Sequence, residues 1–273
     1  PSIAKEAPRM VGAIWSACWQ LRAHKVEAVF STGAYVSFPT AIAAKILRLP
    51  LVIHEQNTYM GKANRFLSKF ANRVCLGLPI SSFPKDWVTG NPTNIHKLDV
   101  GPKHILVIGG SQGCQFFNEC LPMCFAQLIL TIPIVHLAGK DVKMVKSLYS
   151  KYNIDADVHA YHHEMHTVYN GSLLVIARSG AMTLAELSAY GLPSILVPYP
   201  HATNDHQRKN ALYYVKKGAA KMSSEDSEML QNTLQELLRD PQKLSKMSSC
   251  MTSLAKPDAT SKIIRLIQDH IHA

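Results

Sequence analysis

Short apolar runs recur along the chain, and most of them run into a glycine or a polar turn that opens a stretch of helical periodicity. The runs at 26–31, 49–54 and 73–76 predict strands, and the stretches 38–46 and 60–70 predict helices between them. A break follows, where Leu78-Pro79, Phe83-Pro84 and Gly90-Asn91-Pro92 punctuate the chain. The pattern then restarts. Strands are predicted at 104–108, 132–137, 158–161, 173–177 and 194–198, helices at 114–127, 182–190 and 205–217, and a last helix over 258–272 behind Pro257. Strands alternating with helices imply parallel sheets covered on both faces. The expected fold class is α/β: two Rossmann-like domains joined at Gly90–Pro92 and facing across a cleft. In open parallel sheets ligands sit beyond the carboxyl ends of the strands, so the loops just after strands are where chemistry is expected.

The composition agrees with a globular chain: 47% hydrophobic and 18% charged residues, outside the disordered range. The stretch 10–21 is apolar but short, and Ser16, Cys18 and Gln20 interrupt it, so no membrane-spanning helix is expected. The six cysteines complete no zinc pattern and are expected as reduced thiols of a cytoplasmic protein. The net charge of +10 is uneven: residues 1–91 hold 11 Lys+Arg against 4 Asp+Glu, whereas residues 92–254 hold 15 against 13. A basic first half suits an anionic surface, although charge alone serves solubility equally well. Nucleic acid is not an expected partner, because the basic residues lack interleaved aromatics.

Five loops hold candidate chemistry. Gly109-Gly110-Ser111-Gln112-Gly113 leads a strand into a helix. Its glycines admit close backbone approach, and the helix N-terminus offers amides to an anion. It is neither a dinucleotide fingerprint nor a Walker loop, and read alone it is equally an ordinary strand–helix turn. Arg178-Ser179-Gly180-Ala181-Met182-Thr183-Leu184-Ala185-Glu186 repeats that layout, with a carboxylate able to take both hydroxyls of a ribose or simply to face solvent. In the loop from Val197 into the next helix, Gln207 and Asn210 share a face and can bond sugar hydroxyls. Ser31-Thr32-Gly33-Ala34-Tyr35 is a further strand–glycine turn. His54-Glu55-Gln56-Asn57 closes a strand with polar groups, which reads either as acid–base chemistry or as a capped loop with a structural histidine. His162, His163 and His166 have helical spacing with Glu164 as the only acid near, so they are read as surface histidines and no metal is expected.

With Gly33-Ala34-Tyr35-Val36-Ser37, His54-Glu55-Gln56-Asn57, Gly90-Asn91-Pro92, Gly109-Gly110-Ser111-Gln112-Gly113, Arg178-Ser179-Gly180-Ala181-Met182-Thr183, Asp205-His206-Gln207, Asn210-Ala211 and Pro257-Asp258-Ala259-Thr260 in this order, the chain resembles the MurG family of UDP-N-acetylglucosamine:lipid I N-acetylglucosaminyltransferases from about residue 10 to its end. The resemblance implies a GT-B fold, with 1–91 plus 256–273 forming an acceptor and membrane-associated domain and 92–255 the donor domain. It implies inverting, metal-free and cofactor-free transfer of GlcNAc from UDP-GlcNAc to the C4 hydroxyl of MurNAc in lipid I, giving lipid II. By analogy, Ala181, Met182, Thr183, Leu184, Ala185 and Glu186 hold uridine, with backbone on uracil and Glu186 on ribose. His162 stands where a backbone group touches uracil. Ser111 meets phosphate, Gln207 and Asn210 meet the GlcNAc hydroxyls, Gln112 and Arg178 belong to the donor site, and Asn57 reaches the donor from the first domain. Gly33, Ala34 and Tyr35 form an acceptor or phosphate loop, and His54 with Glu55 is the candidate catalytic pair. The implied location is the cytoplasmic face of the bacterial inner membrane, held peripherally on anionic lipid, with other cell-wall synthesis proteins as partners.

Three departures accompany the resemblance. The family's Gly-Gly-Thr-Gly-Gly-His loop is absent, so the chain is expected to be N-terminally truncated relative to the family. Asn94 stands where the family usually has Arg, and Ala34 where it usually has a second glycine. Two competing readings follow: a related UDP-sugar transferase with another acceptor, against which His54–Asn57 speaks, and a non-catalytic UDP-sugar-binding protein.

Overall fold

The computed structural model describes residues 3–101, 103–128 and 130–271, without the side chains of residues 3–7 and 35. The chain divides into two compact units, one formed by the residues up to Pro92 with those from Pro257 on, the other by Thr93–Lys256.

The first unit opens with α1 (Ile3–Ala23) and continues through β1 (Val29–Ser31), α2 (Phe38–Ile46), β2 (Leu51–Glu55), α3 (Lys62–Leu67) and β3 (Arg73–Leu76). The strands form a parallel sheet in the order β1-β2-β3, with Phe30 opposite Val52 and His54 opposite Cys75. All five residues of β2 are buried. Both faces of this central strand are covered, which is why it reads as a continuous apolar run and not as an alternation. One face packs Leu51, Ile53, Val74 and Leu76 against Ala41 and Ala44 of α2 and Leu21 of α1. The apolar stretch at 10–21 lies inside α1, a helix that the sequence pattern did not announce.

The second unit runs β4 (His104–Ile108), α4 (Gln115–Gln127), β5 (Ile134–Leu137), α5 (Val142–Lys151), β6 (Ala156–His159), α6 (Met165–Asn170), β7 (Ser172–Ala177), α7 (Ala181–Tyr190), β8 (Ser194–Leu196), α8 (His206–Lys216), β9 (Ala220–Met222), α9 (Ser227–Leu238) and α10 (Pro241–Ser253). The six strands are all parallel, in the order β6-β5-β4-β7-β8-β9. The direction of winding reverses between β4 and β7. That switch point opens a crevice above the carboxyl ends of the two strands. α11 (Ala259–Ile271) then returns to the first unit, laying Ile263, Leu266 and Ile267 on Val52 and Cys75, the second face of that sheet.

Three boundaries differ from the pattern for physical reasons. β5 starts at Ile134 because Pro133 has no N–H to give and contributes only its carbonyl, which accepts from Ile105. β6 lies at 156–159, since Ala156 pairs with Ile134 and the chain leaves the sheet before the exposed Tyr161. α3 starts at Lys62 because the N–H of Gly61 is donated to Oε2 of Glu55 at 3.0 Å.

Candidate functional site

In the second unit, three loops rise from β4, β7 and β8. The first is the glycine turn. A side chain at Gly109 would meet the backbone nitrogen of Cys114 at 2.3 Å, and one at Gly113, whose φ is +77°, would meet the carbonyl of Ala138 at 2.5 Å. Only glycine lets this turn fold so tightly onto 114 and 138. Cys114 then caps α4, its sulfur accepting from the N–H of Phe117.

The second and third loops are tied to each other. Ser179 donates its hydroxyl to the carbonyl of Gln207 at 2.9 Å, and Asn210 donates its amide to the carbonyl of Ser179 at 3.2 Å. Oε1 of Gln207 accepts from the N–H of Tyr199 at 3.0 Å, which leaves the amide NH2 of that side chain as its donor end. Arg178 braces the whole. It donates to the carbonyls of Val197 and Pro198 at 3.1 and 3.2 Å, pairs with Glu225, and lies over the rings of Phe117 and Tyr199 at 5.3 and 5.5 Å. A planar guanidinium suits such a site, with two carbonyls and a carboxylate at its edge and aromatic rings beside its faces.

These loops line one cavity of about 740 Å³. Gln112, Arg178, Thr183 and Gln207 lie on its wall, together with Gly109, Gly110 and Gly180. Glu119 and Glu225 also line it; neither stands in a motif of its own, and the sequence reading missed both. Of the other donor-site expectations, Ser111 is exposed within the glycine turn, Met182 is exposed in the first turn of α7, and Ala181 and Ala185 lie more inward. Met182 and Thr183 precede the first intrahelical bond of α7, from the N–H of Leu184 to the carbonyl of Gly180.

Two expectations need correction. Leu184 and Asn210 are fully buried. Leu184 belongs to the core, and Asn210 faces Ser179, so neither side chain is placed to meet a ligand. Its offset from Gln207 gave Asn210 the right neighbours and the wrong face. His162 is half-buried in the loop after β6, its ring perpendicular to that of His159 at 5.5 Å. Among the described residues no group of three His, Cys, Asp or Glu side chains converges to hold a metal.

Glu186 sits one turn into α7, and Oε2 accepts from the hydroxyl of Tyr169 at 2.8 Å. Burial pushes its carboxyl above the ordinary range, and the bond from Tyr169 works the other way.

In the first unit the polar groups after β2 form a frame. Glu55, 5% exposed, accepts the N–H and the amide of Asn57 at 3.2 and 3.1 Å, the N–H of Gly61, and the amide of Asn64 at 3.0 Å. The same Asn64 amide reaches the carbonyl of His54 at 3.1 Å. Gly33, at φ +78°, leaves no room for a side chain, because its Cβ would fall 2.2 Å from Nδ2 of Asn64. His54, 1% exposed, donates Nε2–H to the carbonyl of Gly90 at 3.0 Å; burial holds its pKa below the ordinary value, so it is neutral. Asn91 donates to the carbonyl of Gln56 at 3.1 Å.

This placement overturns the expected catalytic pair. A general base must present a free lone pair to its substrate. The carboxylate of Glu55 already accepts four hydrogen bonds, and His54 is sealed in the fold with its Nε2 engaged. Both hold loops in place. Ala34 is exposed in the turn behind Gly33, and the side chain of Tyr35 lies outside the described residues. Asn57 is half-buried, with its amide on Glu55.

Residues 104–263 match the glycosyltransferase family 28 C-terminal domain and residues 1–76 the glycosyltransferase family 28 N-terminal domain. The chain is 36% identical over 287 residues to the UDP-N-acetylglucosamine--N-acetylmuramyl-(pentapeptide) pyrophosphoryl-undecaprenol N-acetylglucosamine transferase of Stutzerimonas stutzeri strain A1501, an alignment covering 99% of this chain and 81% of that protein. The crystal structure of Acinetobacter baumannii MurG is similar at a TM-score of 0.81 and 32% identity, covering 95% of this chain and 78% of that one. A UDP-GlcNAc 2-epimerase from Neisseria meningitidis bound to UDP-GlcNAc is similar at a TM-score of 0.70 and 16% identity, covering 95% of this chain and 81% of that one, and supports the fold alone.

Proposed function

The chain belongs to glycosyltransferase family 28, and on that premise we propose that it transfers GlcNAc from UDP-GlcNAc to the C4 hydroxyl of MurNAc in lipid I, forming lipid II. The observation that carries the reading is the cavity at the β4–β7 switch point, where the glycine turn, the Arg178 loop and Gln207 meet in a chain 36% identical to a transferase of that name.

In the reaction, the oxygen of the acceptor hydroxyl attacks the anomeric carbon of GlcNAc from the side opposite the diphosphate, and the hydroxyl proton passes to solvent water. The bond from that carbon to the diphosphate oxygen breaks, and configuration inverts. Negative charge grows on the departing UDP. The glycine turn 109–113 and the N-terminus of α7 place backbone donors and positive dipole ends where that charge develops. Ser111 lies beside the diphosphate, the NH2 of Gln207 bonds a sugar hydroxyl, the backbone of Ala181–Thr183 and the loop at His162 border uracil, and Glu186 accepts both ribose hydroxyls. His54 and Glu55 take no part in the proton transfer. Labelled GlcNAc supplied as UDP-GlcNAc with lipid I should appear in lipid II; donor binding with no transfer would reduce the chain to a UDP-sugar-binding protein.

The ribose role is separately testable. Hydrogen bonds to a charged group contribute about 1.5–3 kcal/mol each, and Glu186 accepts two, so Glu186→Ala should weaken UDP-GlcNAc binding by about 100-fold or more in calorimetry while the protein stays folded. Unchanged affinity would remove Glu186 from the donor site.

Membrane contact belongs to the first unit. Val11, Trp15 and Trp19 stand one turn apart on α1 and are 66%, 79% and 69% exposed. Large apolar side chains on one helix face in a basic unit suit the interface of an anionic bilayer, where tryptophan is favoured. Among the described residues no helix is long and apolar enough to cross a membrane, and the proposed contact is peripheral, through this face of α1. Replacing Trp15 and Trp19 together by serine should lower partitioning to phosphatidylglycerol-containing vesicles about tenfold or more. Equal partitioning of parent and variant would rule this surface out.

A further inference from the structure

We propose that Tyr169 is a positioning residue for the ribose-binding carboxylate: its hydroxyl holds the side chain of Glu186 in the orientation that accepts the two hydroxyls. This rests on the reading of Glu186 given above and adds to it a residue from a different element.

Tyr169 lies on α6, just ahead of β7, and is 2% exposed. Its ring is stacked on that of Tyr190, centroids 5.1 Å apart and 27° from parallel, so the phenol has little freedom to turn. The hydroxyl points at Oε2 of Glu186, 2.8 Å away. Burial and the neighbouring Glu186 charge both raise the pKa of this phenol, so it keeps its proton and serves as a donor. A glutamate on a helix surface otherwise rotates about three bonds and loses that freedom when it binds a ligand. Here the loss has already occurred in the fold. An ionised carboxylate has about four lone-pair positions, and Tyr169 takes one on Oε2. Oε1 and the second position on Oε2 remain for two vicinal hydroxyls. The bond also favours the ionised carboxylate, offsetting part of the burial that acts against it. No motif carries this role in the sequence: Tyr169 is 17 residues from Glu186 and follows no glycine turn.

The experiment compares UDP with 2′-deoxy-UDP by calorimetry on the full chain, the Tyr169→Phe and Glu186→Ala variants, and the double variant. Tyr169→Phe keeps the ring, its stacking on Tyr190 and its burial, and removes only the hydroxyl. The parent should favour UDP about tenfold. Tyr169→Phe should weaken UDP about five- to tenfold and 2′-deoxy-UDP about twofold or less, compressing the preference. In the Glu186→Ala background the same substitution should change nothing further. If Tyr169→Phe weakens both ligands equally, or adds its full effect to that of Glu186→Ala, the tyrosine only packs and the positioning role is overturned. If Glu186→Ala keeps the full UDP preference, the ribose assignment itself falls, whichever way Tyr169→Phe behaves. A variant with a lowered melting temperature and an unaltered preference also overturns the proposal, because a merely structural tyrosine predicts that pattern.

Discussion

Glu55→Ala is expected to lower the melting temperature of the first unit by about 10 °C or more. Its carboxylate is buried and accepts four hydrogen bonds, two from Asn57, one from Gly61 and one from Asn64. Truncation leaves those donors facing one another across a void. An unsatisfied buried donor costs about 1–3 kcal/mol, and water entering the gap recovers part of it, so the net loss is roughly 3–5 kcal/mol. A domain's whole stability is of order 5–15 kcal/mol, and for a unit of this size 1 kcal/mol shifts melting by about 4 °C or more. The effect should spread to the Gly33 turn, which rests on Asn64 with no room to spare. Glu55→Gln keeps one acceptor oxygen but turns an NH2 toward existing donors, so it should fall between parent and alanine. The measurement is thermal unfolding followed by circular dichroism, alongside turnover. A catalytic Glu55 would behave oppositely, with lost turnover and unchanged melting.

Arg178→Ala should weaken UDP-GlcNAc binding at least tenfold and also lower stability. The guanidinium joins the end of β8 to Glu225 and fills the space between Phe117 and Tyr199. Removing one partner of a largely buried ion pair costs about 3–5 kcal/mol; the 31% exposure of the Glu225 side chain places this case near or below the lower figure. The remaining carboxylate would sit unpaired on a cavity wall expected to receive a diphosphate, and repulsion adds to the loss of shape. Arg178→Lys keeps a positive charge but cannot donate to both carbonyls and Glu225 in one plane, so it should recover only part of the affinity. Glu225→Gln, which removes the charge and keeps the shape, should bind donor more tightly than Arg178→Ala. Equal affinity of parent and Arg178→Ala, by calorimetry, would show that the brace does not shape the donor site.

What the sequence disclosed follows from where the signal lies. β4 and α2 stand where the apolar pattern put them, because a buried parallel strand and a packed helix each leave a strong local period. β9 is three residues, Ala220-Lys221-Met222, too short for any period. α1 was obscured by Pro8 and by polar residues within the apolar stretch. α9 and α10 carry local signals of their own: Asp226 and Asp240 cap them by accepting from Met229 and Lys243, and Pro241 opens the second. The donor loops were legible because glycine turns and polar groups directly follow strands. His54 and Glu55 were legible as polar residues at a strand end, yet their role was not. Their partners Gly90, Gly61 and Asn64 are 36, 6 and 9 or 10 residues away, and only folding shows that the lone pairs are taken. Glu119, Glu225 and Tyr169 come from other elements with no motif of their own.

The most direct test of the central claim is calorimetric titration of this chain with UDP-GlcNAc beside UDP-glucose and GDP-mannose. The account expects saturable binding of UDP-GlcNAc, weaker binding of UDP-glucose, which lacks the acetamido group, and none of GDP-mannose. Binding of all three alike, or of none, would contradict a UDP-GlcNAc site at the β4–β7 crevice.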